Sequence, residues 1–201
     1  MKATIGIVDY GAGNIYSLTC ALERLKIPFT MLHKQSDYSS CTGYIIPGVG
    51  HAGAAMQKLV ESKSIPLILE SKKPVLGICV GMQLLSTHSE EGNSELTGII
   101  PLKTCLFPSS SGLKVPHMGW NQVNQFTCDP LFEGIANNSH FYFVHSYYIE
   151  FNPNFTIGST DYGLNFSAAV HFNQFWGVQF HPERSGENGE RILHNFYKLL
   201  N

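Results

Sequence analysis

Residues 75–83 read Val75-Leu76-Gly77-Ile78-Cys79-Val80-Gly81-Met82-Gln83, an apolar run that leads into a cysteine flanked by glycines. Residues 75–78 predict a buried strand, and residues 81–87 predict the helix that leaves it. A strand that turns sharply into a helix at a reactive side chain is a nucleophile elbow, here with sulfur in place of a serine oxygen. We therefore predict Cys79 as a nucleophile, with the helix N-terminus and its positive dipole end directed at the sulfur.

The elbow is one unit of an alternating pattern in the first half of the chain. Apolar runs at 3–8, 29–32 and 44–46 predict further strands, and residues 15–25 and 52–60 predict helices between them. Strands that alternate with helices build a parallel sheet through right-handed crossovers. We therefore predict an α/β fold with an open, mostly parallel sheet flanked by helices.

The second half has short β-type runs without helices between them, at 141–149, 155–159, 168–172 and 175–179. This pattern favours antiparallel strands added to the sheet. A last helix is predicted over 187–200, and a mobile surface loop over 107–112. Because no linker divides the chain, we predict a single domain over residues 1–201.

Composition excludes several classes of function. Charged residues make up 14% of the 201 residues and the formal net charge is -2. A charge-poor surface favours a partner that covers part of it, and the lack of a basic stripe argues against nucleic-acid binding through phosphates. No apolar run approaches the roughly 20 residues of a membrane-spanning helix, and the N-terminus has no signal-peptide pattern.

The cysteines and glycines indicate neither a metal nor a cofactor. The five cysteines are widely separated and form no Cys-x-x-Cys pair, so neither a disulfide framework nor a zinc site is predicted. Gly11-Ala12-Gly13 begins like a dinucleotide-binding motif, but Tyr16 stands where the third glycine belongs. We expect a reduced, cytoplasmic chain with no metal and no cofactor.

A thiolate nucleophile needs a base, and the base needs a group that orients it. His181-Pro182-Glu183 supplies both side chains. If His181 ends a strand, Glu183 returns to the same side because side chains alternate along extended chain, and Pro182 biases His181 toward that conformation. Spacing alone leaves two interpretations open: a catalytic triad with Cys79, or a surface histidine and glutamate that never meet.

An attacked carbonyl also needs donors placed for the developing oxyanion. Pro47-Gly48-Val49-Gly50 ends another predicted strand, and its glycines let backbone N–H groups turn toward a neighbouring site. The amide of Val80 is the second candidate donor. Because the carboxyl ends of the strands meet at one sheet edge, this loop and Cys79 are expected to be close. The alternative is an ordinary strand-ending turn.

Six blocks of the sequence together resemble the class I (triad) glutamine amidotransferases, and among these the glutaminase subunits of imidazole glycerol phosphate synthase. The blocks are DYGAGNIYS (9–17), PGVG (47–50), GICVGMQ (77–83), VPHMGWN (115–121), YFVHSY (142–147) and QFHPERSG (179–186). They run from near the N-terminus to the last helix, so the resemblance covers essentially the whole chain. It implies the flavodoxin-like, three-layer fold of that class.

The resemblance implies a mechanism and a substrate. Cys79 is expected to attack the side-chain amide of glutamine, His181 to protonate the departing ammonia, and water to release glutamate from a thioester. The substrate-binding residues implied are Gln83, Glu91 for the ammonium group, and the backbone of His145, Ser146 and Tyr147 for the carboxylate.

The resemblance also implies a partner, a (β/α)8-barrel cyclase/synthase subunit that receives the ammonia. That subunit forms imidazole glycerol phosphate and an aminoimidazole carboxamide ribotide in histidine biosynthesis. The residues expected at the interface are Asn14, Ser17, His117, Met118, Trp120 and Arg184. The alternative for residues 117–120 is a half-buried aromatic cluster with a hydrogen-bonded histidine. Two positions depart from the family pattern: Val80 replaces a leucine, and Arg184 replaces a lysine, which changes the donor geometry.

Two other functions stay open at this point. A paralogous glutaminase subunit could supply ammonia for amidation of a sugar in surface polysaccharide synthesis. The chain could also be a self-contained cysteine hydrolase or a catalytically silent interaction module. Growth of a histidine auxotroph that carries the gene separates the paralogous function from the histidine pathway. Glutamine turnover by the isolated chain separates a self-contained hydrolase from a subunit that depends on its partner.

Overall fold

The computed structural model describes residues 3–11, 13–33, 35–108 and 112–201, so residues 109–111 of the predicted mobile loop lie outside the described part. The helices are α1 (Ile15–Arg24), α2 (Gln35–Ser40), α3 (Ala52–Glu61), α4 (Ser64–Glu70), α5 (Val80–Gln83) and α6 (Gly186–Lys198). The strands are β1 (Ile5–Val8), β2 (Phe29–Leu32), β3 (Gly43–Gly48), β4 (Val75–Cys79), β5 (His88–Ser89), β6 (Ser94–Glu95), β7 (Lys103–Leu106), β8 (His117–Gln125), β9 (Ser139–His145), β10 (Tyr147–Glu150), β11 (Thr156–Asp161), β12 (Asn165–Phe172) and β13 (Phe175–Val178). Within these ranges, no helix combines the length and the apolar character needed to cross a membrane.

The main sheet has the strand order β2-β1-β3-β4-β13-β12-β10-β7-β5-β6. Strands β2, β1, β3, β4 and β13 are parallel to their neighbours in this series, and β12, β10 and β7 continue the sheet through antiparallel pairs. Strands β11, β8 and β9 form a further antiparallel ladder attached to β12. The predicted α/β class, with a mostly parallel sheet and antiparallel additions, is confirmed.

One strand of the second half lies inside the parallel part of the sheet. Strand β13 pairs antiparallel with β12 but parallel with β4. The prediction that residues 175–179 form an antiparallel addition is therefore confirmed for the pairing with β12 and wrong for the pairing with β4. The reason is topological, because the chain turns back after β12 and inserts its return strand beside the edge of the parallel sheet. This insertion brings residues that follow β13 next to Cys79.

Helices pack on the sheet through the apolar faces that the sequence predicts. Asn14 caps α1 by accepting a hydrogen bond from the Ser17 amide, and Leu18 and Leu22 of that helix are buried. At the other end of the chain, α6 buries Ile192, Leu193 and Phe196. Such amphipathic faces bury apolar area against the sheet and hold the two termini of the fold in place.

Two elements differ in extent from their predictions. The helix predicted over 81–87 ends at Gln83, because the carbonyls of Leu84 and Leu85 accept bonds from residues 97 and 100 rather than from a continuing helix. The strand predicted over 141–149 breaks at Ser146 into β9 and β10.

Candidate active site

Cys79 stands at a sharp turn between β4 and α5. Its backbone has φ 54° and ψ -112°, a left-handed region that non-glycine residues seldom occupy. A Cβ at Gly77 would lie 2.4 Å from the Gly81 carbonyl oxygen, and a Cβ at Gly81 would lie 1.8 Å from the Ile46 oxygen. Glycine is therefore required at positions 77 and 81, because a larger residue would overlap neighbouring backbone atoms. Strain of this kind persists where the surrounding packing imposes it, and it is common at functional residues.

His181 and Glu183 form a buried pair. The Nδ1 atom of His181 lies 2.8 Å from Oε1 of Glu183, and their side chains are 4% and 3% exposed. Pro182 opens a short 3-10 helix over Pro182–Arg184, so the expected alternation along extended chain is wrong as the reason for the contact. His181 itself is extended, with φ -97° and ψ 98°, and the glutamate returns to it through the turn.

The second ring nitrogen of His181 faces a different environment. Its Nε2 atom is buried and makes no hydrogen bond of ordinary geometry with any residue in the described ranges. Burial alone lowers the pKa of His181, but interactions with Cys79 and Glu183 together raise that pKa to about 10. A histidine held between a sulfur and a carboxylate is the arrangement of a Cys-His-Glu triad.

The sulfur of Cys79 also has a neighbouring amide donor. Nε2 of Gln179 lies 3.6 Å from Sγ of Cys79, and its Oε1 accepts a 3.0 Å bond from Nε2 of Gln83. Gln179 and Gln83 are both buried. An N–H directed at sulfur stabilises negative charge there, so Gln179 favours the nucleophilic form of the cysteine.

The predicted oxyanion loop lies beside the elbow. Gly48 is the register partner of Cys79 across the parallel β3–β4 pair. The next two residues, Val49 and Gly50, line the same cavity as Val80, and Gly50 has φ 84°. The phenol of Tyr10 donates a 2.7 Å hydrogen bond to the Pro47 carbonyl. Because C=O and N–H point in opposite directions across a trans peptide, this bond turns the Gly48 amide away from Tyr10.

A cavity of about 330 Å³ opens in front of the sulfur. Its lining contains Asn14, Val49, Gly50, Cys79, Val80, Gln83, Glu91, Pro116, Val144, His145, Ser146, Tyr147, His181 and Arg184. The predicted catalytic and substrate residues are thus brought together, except that Gly48 lies just behind the lining and Glu183 supports it through His181. A cavity of this volume is large enough for a small molecule.

Glu91 and Gln83 are each held in place within this cavity. Oε2 of Glu91 accepts a 2.6 Å bond from the Ala52 amide at the start of α3, which orients the carboxylate. Nε2 of Gln83 donates a 3.0 Å bond to the Tyr147 carbonyl, which ties the elbow to the break between β9 and β10. The cavity therefore contains the oriented carboxylate of Glu91 and the backbone of Tyr147, which Gln83 holds in place.

The six residues predicted to face a partner do not share one environment. Asn14 and Arg184 line the cavity, Ser17 is half-buried, and Met118 and Trp120 are exposed by 63% and 56%. Trp120 and Arg184 both contact the ring of Tyr142, so they belong to one surface cluster beside the cavity.

The prediction that His117 faces a partner is wrong. His117 is 3% exposed and stacks between the rings of Phe143 and Tyr162. It therefore presents no surface to a partner, and the alternative of a hydrogen-bonded histidine in an aromatic cluster describes it. The inward side of β8 holds His117, whereas the outward side holds Met118 and Trp120.

Two residues of the site were not singled out from the sequence. Tyr10 follows β1, and its buried hydroxyl reaches the loop after β3. Gln179 follows β13, and its amide reaches the sulfur. Tyr10 lies in the block at 9–17 and Gln179 in the block at 179–186, and membership of these blocks was the one signal in the sequence that could have identified them. Among the described residues, no group of three or more His, Cys, Asp or Glu side chains is placed to hold a metal ion.

Comparison with known proteins identifies the class. Residues 6–200 match the family described as glutamine amidotransferase class-I, and the chain belongs to that family. Two solved structures from Thermotoga maritima share the fold: PurLQS and a glutamine amidotransferase. PurLQS has a TM-score of 0.71 at 20% identity, over 100% of both chains. The glutamine amidotransferase has a TM-score of 0.64 at 14% identity, over 96% of this chain and 82% of its own.

Curated relatives narrow the family further. The chain is 46% identical over 196 residues to "Imidazole glycerol phosphate synthase subunit HisH" of Haemophilus influenzae, which covers 98% of both chains. It is 41% identical to the HisH subunit of Methanocaldococcus jannaschii, over 98% of this chain and 100% of the relative. At this identity and coverage, the chain belongs to the HisH branch of the class I glutamine amidotransferases.

Proposed function

We propose that the chain is the glutaminase subunit of an imidazole glycerol phosphate synthase, and that Cys79, His181 and Glu183 are its catalytic triad. One observation carries the assignment of these residues: a strained, buried cysteine and a histidine–glutamate pair line or support the same cavity. Full-length similarity to HisH subunits at 41–46% identity supports the overall function.

In the first step, Sγ of Cys79 attacks the side-chain amide carbon of L-glutamine. The carbonyl oxygen becomes an oxyanion, which we assign to the backbone amides of Val80 and of the 48–50 loop, because Val49, Gly50 and Val80 line the same cavity as Cys79. Gln179 directs its side-chain N–H at the sulfur. The attack needs the thiolate form, and His181 provides the positive charge that stabilises it.

In the second step, His181 gives its proton to the amide nitrogen, which leaves as ammonia while a thioester forms on Cys79. Water then adds to the thioester, and the neutral imidazole takes the proton of that water. Glutamate leaves, and the thiolate and the imidazolium are restored. Glu183 stabilises the imidazolium and holds Nδ1, so that Nε2 stays directed into the cavity.

Recognition of the substrate uses the two ends of its backbone. We assign the α-ammonium group to Glu91, whose carboxylate is already oriented by the Ala52 amide. We assign the α-carboxylate to the backbone at Ser146 and Tyr147, at the break between β9 and β10. The amide side chain of glutamine then reaches toward Cys79.

Ammonia is used by a partner, and we propose a (β/α)8-barrel cyclase subunit of the HisF type. Its docking surface includes Met118, Trp120 and Arg184, which are exposed beside the cavity that releases ammonia. Burying the first two side chains gives the interface an apolar centre. A cytoplasmic location is part of the same proposal, and it is supported by the five cysteines, all of which are free thiols as expected in a reducing compartment.

The test uses Cys79→Ala in the complex with the cyclase subunit. Glutamine-dependent formation of imidazole glycerol phosphate is expected to be lost, whereas synthesis from added ammonium is retained. Cys128→Ala is the matched control, because Cys128 is exposed and does not line the cavity. Loss of both activities in Cys79→Ala contradicts the assigned role. Product formation from a sugar acceptor but not from the ribotide substrate would establish the paralogous function instead.

A further inference from the structure

Two buried histidines link β8 to the backbone of the substrate cavity. Nδ1 of His117 lies 2.9 Å from Nε2 of His145, and Nδ1 of His145 lies 2.7 Å from the Tyr147 carbonyl oxygen. On the outer side, Nδ2 of Asn121 lies 3.3 Å from Nε2 of His117. The residues 121, 117, 145 and 147 thus form one continuous hydrogen-bond network.

Hydrogen-bond chemistry assigns the proton on each ring. A carbonyl only accepts, so Nδ1 of His145 carries a proton and donates to Tyr147. The orientation of the Asn121 amide is fixed by two other bonds, since its Nδ2 donates to the Asp161 carbonyl and its Oδ1 accepts from the Gln122 amide. Nε2 of His117 therefore accepts from Asn121, and its Nδ1 donates to Nε2 of His145. Both rings are neutral and protonated at Nδ1.

The surroundings favour this neutral pair. His117 and His145 are 3% and 6% exposed and packed against Phe107, Phe143 and Phe166. Burial lowers the pKa of His117 to about 4 and the pKa of His145 to about 3. At neutral pH every buried ring nitrogen in the pair then has one partner of the matching kind.

The network ends on the carbonyl of Tyr147, a residue that lines the cavity. The Tyr147 carbonyl accepts from His145 and also from Nε2 of Gln83 at 3.0 Å, and the Ser146 carbonyl accepts from the Phe107 amide at 3.2 Å. Ser146 lies outside β9 and β10, and Tyr147 begins β10 as the register partner of Leu106, so these three bonds and the β7 pairing together fix the orientation of the segment. If His117 no longer donates to Nε2 of His145, that nitrogen becomes a buried acceptor without a donor, and the His145 ring is free to turn.

We propose that His117 and His145 are positioning residues, whose two Nδ1 protons hold the Ser146–Tyr147 backbone in the orientation that binds the carboxylate end of the substrate. The inference rests on the proposed function for its substrate, glutamine, but the proton positions are a property of the chain alone. Neither histidine touches the reacting amide. Their effect is on glutamine affinity rather than on the chemical step.

The proton positions are tested by 15N NMR of the full chain at pH 7. Both rings are expected to show a protonated Nδ1 and an unprotonated Nε2, and His117→Phe and His145→Phe, each of which removes one ring from the nine histidines of the chain, assign the two sets of signals. An Nε2-protonated ring at either position overturns the proposal. This measurement requires no activity, so its outcome is independent of whether Cys79 hydrolyses glutamine.

The positioning role is tested by two variants of His117, one that loses the hydrogen-bond donor and one that loses the aromatic ring. His117→Phe keeps an aromatic ring between Phe143 and Tyr162 but removes the donor to His145, whereas His117→Asn loses the ring but offers an amide donor near the same place. In the complex, KM for glutamine is expected to rise roughly tenfold in His117→Phe and by less than about threefold in His117→Asn, with kcat within about twofold in both. The reverse order of KM values, or an unchanged KM in folded His117→Phe, overturns the proposal.

Discussion

Gly48 lies directly opposite Cys79 in the register of the parallel β3–β4 pair. A Cβ at Gly48 would meet the Gly81 amide nitrogen at 2.6 Å and the Val80 Cβ at 2.8 Å. Both of those atoms belong to the turn that presents the sulfur. The strand end that carries the oxyanion loop and the strand end that carries the nucleophile are therefore packed with no room between them.

Gly48→Ala is expected to lower kcat for glutamine hydrolysis about 100-fold, because relieving the contact displaces the elbow or the loop by a fraction of an ångström. Synthesis from added ammonium should continue in the complex. The control is Gly98→Asn, since a Cβ at Gly98 meets no atom within 4 Å and asparagine tolerates the left-handed backbone at φ 65°. A wild-type kcat in Gly48→Ala would show that the elbow is not confined by this contact.

Glu91→Gln is expected to raise KM for glutamine by roughly 10- to 100-fold, with a smaller change in kcat. The substituted amide oxygen still accepts from the Ala52 amide, so the variant removes the charge while it retains the local structure. Glu90→Gln is the matched control, because Glu90 is exposed and bonds to the Leu106 amide instead. Equal KM values in the two variants would argue against an ammonium site at Glu91.

The pKa of His181 should respond to its two partners separately. Burial lowers this pKa, whereas Cys79 and Glu183 raise it to about 10. Cys79→Ala or Glu183→Gln alone should therefore lower it from that value, and the double variant should bring it below the ordinary value of about 6.5, because burial alone remains. NMR titration of the imidazole C2 proton measures each value. A double variant that titrates above the ordinary value would contradict this account.

A second histidine–carboxylate pair makes stability depend on pH. Nδ1 of His171 lies 2.8 Å from Oδ2 of Asp129, and Nε2 donates to the Asn173 carbonyl at 2.7 Å. Burial lowers the pKa of His171, but the bonds to Asp129 and Asn173 raise it above its ordinary value overall. Because the folded-state pKa is raised, the stabilisation is complete below about pH 6.5 and is lost as pH rises through the folded value.

Asp129→Asn should therefore lower the free energy of unfolding by about 1.5–3 kcal/mol at pH 6, and by less at pH 9. Urea unfolding at the two pH values measures the difference. Glu95→Gln serves for comparison, since Glu95 faces His88 at 3.4 Å but is largely exposed, and such a pair contributes little. If Asp129→Asn lowers the free energy of unfolding by the same amount at pH 6 and pH 9, the charged pair is ruled out.

Local sequence patterns were sufficient for much of the fold. The β2 bounds agree with the apolar run at 29–32, and α1 begins after the Asn14 cap as predicted. Helix and strand periodicity, cap residues and glycine-flanked turns are short-range properties, so they can be read from neighbouring residues. The helix predicted over 81–87 was wrong in length because distant residues 97 and 100 take its carbonyls.

The inward face of β8 shows why part of the site could not be predicted. Its alternation places either Met118 and Trp120 or His117 and Asn121 toward the core, and apolar content alone favours the first pair. The structure buries His117 and exposes Met118 and Trp120, because His145 and Asn121 satisfy the buried imidazole. A polar residue is buried where its partners are, and those partners lie on another strand.

Neighbouring residues alone specify the α/β alternation and the elbow at Cys79, since each depends on residues within one turn or strand, whereas the spacing of His181 and Glu183 left open whether the two side chains meet. Long-range packing, in contrast, inserts β13 beside β4, brings Gln179 to the sulfur and lets Tyr10 orient the loop at Pro47. The last two contacts join residues 100 and 37 positions apart. They follow from strand order and register, which the free energy of the whole packed sheet selects and no local pattern specifies.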